Sequence, residues 1–273
     1  MKLTCRLGFL GGGNMAQALI TGLKTQNFAM QNIMVIELEA NKRAALEHTF
    51  GVNTSAEIAN ILSCDVIILA IKPQQLPQLA KSLSPLLSNQ LMITIAAGIR
   101  LADLSRWLGG YRNIIRAMPN TPAQIQAGVT GLYAMPNVSK TQIEQADQLL
   151  SAAGSTLWLD SEEKLDAITA ISGSGPAYVF YLIEALQEAA LQLGLNEDQA
   201  KQLSIATFKG ASLLAESSQT PIAILRDQVT SKGGTTEQGL ISLHNSQVKE
   251  AIVLAAQKAC ERAKTLGDEL GRD

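Results

Sequence analysis

Short apolar runs alternate with helix-period segments along the first half of the chain. Residues 7–10 form a run of strand length, and the roughly 3.6-residue spacing of apolar positions over 14–24 predicts a helix. A second strand is expected at 33–36, a helix at 41–48, a short strand or turn opening at Val52, and helical sequence at 56–62. The clearest buried strand lies at 65–70, where Asp65 leads into the continuous aliphatic run Val66-Ile67-Ile68-Leu69-Ala70. A helix over 75–87 and a strand over 91–96 follow, with further strands near 113–116, 130–134 and 155–159. Strands separated by helices imply a parallel sheet with helices on both faces.

From about Ser161 the strand signals stop. Helical segments are expected at 162–170, 177–192, 197–216, 236–245 and 248–266, with Gly194 as a helix stop and Asn196 as the next cap. Their apolar faces are broad and rich in small residues, as in Ala185, Leu186, Ala189, Ala190 and Leu193. A self-contained bundle could bury such faces, but their breadth favours burial against a second copy, so a homodimer or an oligomer built on dimers is expected. The fold class is α/β followed by all-α, with domains at 1–160 and 161–273.

Composition narrows the function. Of 273 residues, 47% are hydrophobic, 17% charged and 4% aromatic, with a net charge of -2. That balance gives no electrostatic case for nucleic acid or an anionic membrane, and few stacking platforms for single strands. Cys5, Cys64 and Cys260 are scattered and odd in number, which argues against a disulfide framework or a bound metal and for a reducing compartment. No apolar run reaches membrane-spanning length, and no export signal precedes the first strand pattern, so a cytoplasmic location is expected. His48 and His244 sit in helix-like sequence away from any carboxylate motif and read as packed or surface side chains.

The chemistry begins at Leu10-Gly11-Gly12-Gly13-Asn14-Met15-Ala16, which contains G-x-G-x-x-A directly after the first strand and at the opening of the first helix. That context is the one a dinucleotide-binding loop requires. Gly11 serves the tight turn, Gly13 lets the backbone approach a pyrophosphate, and Ala16 allows close packing of helix on strand. The first domain is therefore of Rossmann type. Glu37 ends the second strand about twenty residues on, where a carboxylate binds a ribose 2′-hydroxyl and repels a 2′-phosphate. Lys42 and Arg43, one turn into the next helix, could instead reach a phosphate, so NAD and NADP both stay open. Ala70-Ile71-Lys72-Pro73 leaves the fourth strand at the carboxyl edge of the sheet, where ligand contacts fall. Met118-Pro119-Asn120-Thr121-Pro122 is a stiff loop after another strand, with Asn120 and Thr121 able to hydrogen-bond a nicotinamide or a substrate.

At the far end of the chain, Thr230-Ser231-Lys232-Gly233-Gly234-Thr235-Thr236 packs four hydroxyls and two glycines in front of a helix. Paired glycines turn backbone N–H groups toward one point and the helix start adds more, a pocket for a small carboxylate or phosphate. An ordinary helix cap would use some of the same residues.

These motifs together resemble the pyrroline-5-carboxylate reductase family. The resemblance is carried by Gly8 to Ala16, Ala70 to Pro73, Met118 to Pro122, Ser172-Gly173-Ser174-Gly175-Pro176-Ala177 and Thr230 to Thr236, in family order across nearly the whole chain. It implies a nucleotide domain followed by a helical dimerisation domain, and hydride transfer from NADPH or NADH to the C=N carbon of 1-pyrroline-5-carboxylate, giving L-proline. It also implies cofactor contacts from Leu10 to Ala16 and from Ala70, Ile71, Lys72, Pro73, Asn120 and Pro122, to which the motif spacing adds Glu37. The substrate carboxylate would be held by Ser231, Gly233, Gly234, Thr235 and Thr236, with Thr236 placed to hydrogen-bond the ring nitrogen. Two positions depart from the pattern: Lys232 stands where the family usually has proline, and Glu37 where it commonly has a small polar residue. Two other readings compete. A 3-hydroxyacid dehydrogenase shares the two-domain plan but needs a base, and no lysine follows Gly173-Ser174-Gly175 here. A non-catalytic NAD(P)-binding regulator would leave the hydroxyl-rich loop without a ligand.

Overall fold

The computed structural model describes residues 5–272. They divide into two compact units: the first runs to Ser174 and takes in the residues from Ala259 onward, and the second is Gly175–Lys258.

The first unit is built on a sheet of eight strands among the described residues: β1 (Leu7–Leu10), β2 (Ile33–Ile36), β3 (Asn53–Ser55), β4 (Val66–Leu69), β5 (Leu91–Thr94), β6 (Ile114–Met118), β7 (Gly128–Ala134) and β8 (Gly154–Trp158). Their order is β3-β2-β1-β4-β5-β6-β7-β8. Helices α1 (Asn14–Thr25), α2 (Ala40–Phe50), α3 (Leu76–Leu83), α4 (Leu101–Trp107), α5 (Lys140–Leu150) and α6 (Lys164–Ile168) accompany it. The period-2 alternation of the strands sorts their side chains onto two faces. Leu7, Phe9, Ile33, Val35, Val66, Ile68, Leu91 and Ile93 meet α1, α2 and α5 on one side. Leu10, Ile36, Ile67, Leu69 and Met92 meet α3 and α4 on the other. Both faces of the strands are apolar because both are covered.

The sheet departs from the expected parallel arrangement at one place. β6 and β7 pair antiparallel, while β7 and β8 pair parallel to each other. Residues 119–127 between β6 and β7 carry only the 3-10 turn Thr121–Ile125. That link is shorter than the dozen or so residues a parallel crossover needs, so the chain reverses. Helices α4 and α5 were not legible in the sequence: α4 is short, and α5 shows only Ala146, Leu149 and Leu150 as fully buried positions on a polar helix. Where a helix was expected over 56–62 the chain winds as a 3-10 segment, Ile58–Ser63, and the expected helix over 75–87 is a 3-10 turn, α3 and a second 3-10 turn.

The compact first unit continues past residue 160, where a domain boundary was expected. β8 does end near there, but α6 packs back on the sheet: a Cβ on Gly131 of β7 would stand 2.8 Å from Ile168. Arg116 of β6, 5% exposed, also binds across. Its guanidinium lies 3.0 Å from Glu162 and 3.5 Å from Asp166, and the Glu162 carboxylate accepts the Leu101 N–H at 2.8 Å as well. One buried cation thereby ties β6, the start of α4 and the approach to α6.

The second unit contains α7 (Gly175–Gln192), α8 (Glu197–Ser217), α9 (Ile222–Gln228), α10 (Thr235–Asn245) and the first part of α11 (Val248–Leu270). Asn196 caps α8 in a capping box with Gln199, and Gly194 takes φ +90 between α7 and α8, as the sequence predicts. α7, α9 and α10 bury no residue within the chain, and Phe180 and Tyr181 are 65% and 71% exposed.

Arg116→Ala would leave Glu162 and Asp166 without their cation. A loss of about 3 kcal/mol is expected, read as a lower urea midpoint at unchanged slope; an unaltered midpoint would show the cluster to be energetically idle.

Candidate active site

The parallel register levels the carboxyl ends of three strands. Leu10 pairs with Ile36 on one side and Leu69 on the other, so Gly11, Glu37 and Ala70 all emerge at one edge where the chain order reverses. Such a switch point opens a crevice for ligands. Gly11 takes φ +98, and a Cβ there would stand 2.6 Å from the Ala70 carbonyl oxygen. No other residue type fits that turn without strain. Beyond Gly13, by contrast, nothing lies within 4 Å of where a Cβ would stand, and as N-cap of α1 it carries no capping side chain. The first-turn N–H groups of α1 are therefore open to an anion, with the helix dipole behind them. Asn14 is exposed at the first position of that helix, Met15 is half-buried, and Ala16 is fully buried against the sheet. Gln17, which the sequence reading did not single out, braces the loop by donating its amide to the Gly12 carbonyl at 2.8 Å.

Glu37 faces this loop. Its carboxylate accepts the Gly12 N–H at 3.3 Å and the Glu39 N–H at 3.2 Å. The two nearby cations are engaged elsewhere. Lys42 pairs with Glu39 at 2.6 Å, and that hydrogen bond raises the lysine pKa. Arg43 donates to the carbonyls of Glu37 and Leu38, each at 2.8 Å. On the β4 side Ile71 is half-buried against Gly11, Lys72 is exposed, and Pro73 starts a 3-10 turn that lifts the chain away.

Asn120, expected as a cofactor contact, has protein partners at both ends of its amide. It is 8% exposed. Its oxygen accepts the Val129 N–H at 2.9 Å and its amide donates to the Ser172 carbonyl at 3.1 Å. That carbonyl is available because Pro176, four residues on, has no N–H to donate to it; it lies in a single π-helical turn, Thr169–Gly173, marked by the Ser174 N–H reaching back to Thr169. Turns of this kind collect at functional sites. Thr121 is exposed beside it and Pro122 half-buried. Burial, with Asp65 adding, pushes the Cys64 thiol up to about 11 and raises Cys5 too. Among the described residues no cluster of His, Cys, Asp or Glu is arranged to hold a metal ion.

In the second unit the segment after α9 turns through Gly233 at φ +73 into α10, whose N-cap is Gly234. A Cβ on Gly234 would stand 2.4 Å from the Ser231 hydroxyl. The Gly234 N–H donates to the Ser231 carbonyl at 3.0 Å, and the Gly233 N–H to the Glu237 carboxylate at 2.7 Å. The two glycine N–H groups expected to grip an anion are thus used within the loop. With glycine as N-cap, no side chain covers the first turn of α10, where Thr235 and Thr236 lie exposed.

The comparisons with known proteins agree along the chain. Residues 162–266 match the family model described as pyrroline-5-carboxylate reductase dimerisation, and residues 6–98 match that of coenzyme F420-dependent NADP oxidoreductases. The pyrroline-5-carboxylate reductase of Pseudomonas aeruginosa is 42% identical over 98% of this chain and 99% of its own. The chain belongs to the pyrroline-5-carboxylate reductase family. The Haemophilus influenzae reductase is 36% identical over 95% of this chain and 97% of its own. Among solved structures, the reductase of Coxiella burnetii superposes with a TM-score of 0.92 at 39% identity, covering 97% of this chain and 99% of that one. The Plasmodium falciparum pyrroline carboxylate reductase, determined with NADP bound, gives 0.87 at 30% identity, covering 98% and 99%.

Gly11→Ala places a side chain at positive φ against a backbone carbonyl, a strain of about 1–3 kcal/mol. Nucleotide affinity in this reductase is expected to fall by about tenfold or more, read by quenching titration; wild-type affinity would remove the turn from the site. Asn120→Ala strands one buried N–H and one carbonyl, and a loss of about 1–3 kcal/mol is expected in thermal or urea unfolding.

Proposed function

We propose that the chain reduces 1-pyrroline-5-carboxylate to L-proline with NAD(P)H. The observation that carries the reading is the 42% identity with the Pseudomonas aeruginosa reductase over nearly the full length of both chains. The glycine loop fits a dinucleotide: Gly11 makes the turn, and the open face at Gly13 leaves the α1 N–H groups to a pyrophosphate. Leu10 to Ala16, Glu37, Ala70 to Pro73 and Pro122 are the residues that would hold it, with Asn120 shaping the loop from behind. The dihydronicotinamide supplies a hydride to the imine carbon, while the ring nitrogen, already protonated, becomes the amine of proline.

The chain's own part is positioning. The carboxylate of the imino acid is received at the uncovered start of α10, by the N–H groups of Thr235 and Thr236 and the hydroxyls of Ser231 and Thr235. Gly233 and Gly234 shape that turn. The Thr236 hydroxyl orients the ring nitrogen, so no strong protein base is required. The helical segment from about 161 onward serves as the dimerisation and substrate domain, with the exposed apolar faces of α7 to α11 covered by a second copy. Among the described residues no helix is long and apolar enough to cross a membrane, and we place the reaction in the cytoplasm.

We further propose that Glu37 sets cofactor choice. Its carboxylate stands on the glycine loop while Lys42 and Arg43 are tied to acceptors of the same turn, so a 2′-phosphate would meet negative charge. NADH is expected to have the lower KM, and Glu37→Ser to shift the KM ratio toward NADPH by about tenfold. A strong NADPH preference in the wild type would overturn this assignment. Thr236→Ala is expected to lower kcat by about one to two orders of magnitude, the scale of one lost transition-state hydrogen bond. Unchanged turnover in the coupled reductase assay would remove Thr236 from the mechanism.

A further inference from the structure

The first turn of α10 carries a carboxylate that the proposed substrate role of the preceding loop does not require. Glu237 is the third residue of α10, the position from which an acidic side chain ordinarily reaches back to the N–H of the N-cap residue. Here that N–H, on Gly234, is already taken by the Ser231 carbonyl at 3.0 Å. The Glu237 carboxylate passes it and accepts the N–H of Gly233 at 2.7 Å, a length typical of a charge-assisted bond. Gly233 can present its N–H in that direction because it stands at φ +73.

We infer that Glu237 is a positioning residue for substrate binding, a clasp that closes the turn Ser231–Gly234 onto the first turn of α10. The inference rests on the reading of this loop as the carboxylate site. Two consequences follow from the geometry. The clasp holds Ser231 and Gly234 in the packed arrangement in which the Ser231 hydroxyl lies against the Gly234 backbone. It also decides where the Glu237 charge goes. A carboxylate in the first turn of a helix is drawn to the same N–H groups that would receive an anionic substrate. Bound to Gly233, it is held off the N–H groups of Thr235 and Thr236, which stay open because Gly234 has no capping side chain. Lys232, exposed and next in sequence to Gly233, adds a cation at the same turn.

The test compares Glu237→Ala and Glu237→Gln in the full-length enzyme. Alanine removes the acceptor and is expected to raise KM for pyrroline-5-carboxylate by about tenfold, the scale of one charge-assisted bond, with kcat and the nucleotide KM unchanged. Glutamine keeps an acceptor oxygen at the same reach and is expected to restore KM to within about twofold of wild type. Without substrate, amide hydrogen exchange over residues 230–236 should be faster in the alanine variant than in the glutamine variant. An unchanged or lowered KM in Glu237→Ala would overturn the clasp, as would a glutamine variant indistinguishable from alanine. If the wild type fails to reduce pyrroline-5-carboxylate, the functional reading falls, while the exchange difference still decides whether Glu237 closes the turn.

Discussion

The pairing of β1 between β2 and β4 is the constraint on which the first unit depends. Because all three run parallel and in step, Leu10, Ile36 and Leu69 end at one level. The three residues that follow them, Gly11, Glu37 and Ala70, are then forced together although they lie far apart in the chain. A slip of one residue would turn every strand side chain to the opposite face. It would also separate the Gly12 N–H from the Glu37 carboxylate and open the contact between Gly11 and the Ala70 carbonyl. Register is secured by the two apolar clusters, since each face of the sheet has its own helices to satisfy. Core packing and cofactor geometry thus have the same origin.

Beyond β5 the sheet serves a different purpose. The reversal between β6 and β7 produces the loop that holds Asn120, and Asn120 in turn fastens that loop to the π turn at Thr169–Gly173. Arg116 works in parallel from within β6, engaging Glu162 and Asp166. A guanidinium can serve several acceptors at once from a fixed plane. Together they fasten the Met118–Pro122 segment and the Ser172–Ser174 segment to one framework, which is why the compact unit outlasts its last strand.

The two helix starts proposed to receive anions share a design. Each is a helix start whose N-cap is glycine, Gly13 for α1 and Gly234 for α10, and neither has a side chain over the first-turn N–H groups. Each is also flanked by a carboxylate that hydrogen-bonds a glycine-loop N–H, Glu37 at Gly12 and Glu237 at Gly233. With glycine at the N-cap, the missing side-chain cap costs each helix only about a few tenths of a kcal/mol. The internal carboxylates offset part of that cost without closing the sites.

The amino-acid sequence determined the α/β-then-α order, the positions of β1, β2 and β4, the glycine turn and the hydroxyl-rich loop. These depend on local periodicity and on residue types that few conformations accept, and both are readable over a short window. It did not reveal α4 and α5, whose apolar stripes are too short or too narrow to stand out, or the antiparallel turn at β7, which depends on link length rather than composition. Only the tertiary structure decided the roles of the polar residues. Asn120 is engaged by Val129 and Ser172, and the Gly233 N–H meets Glu237, partners that the sequence does not announce. A polar group's function follows from which partner reaches it first, and such partners are brought into range by packing, not by neighbourhood along the chain.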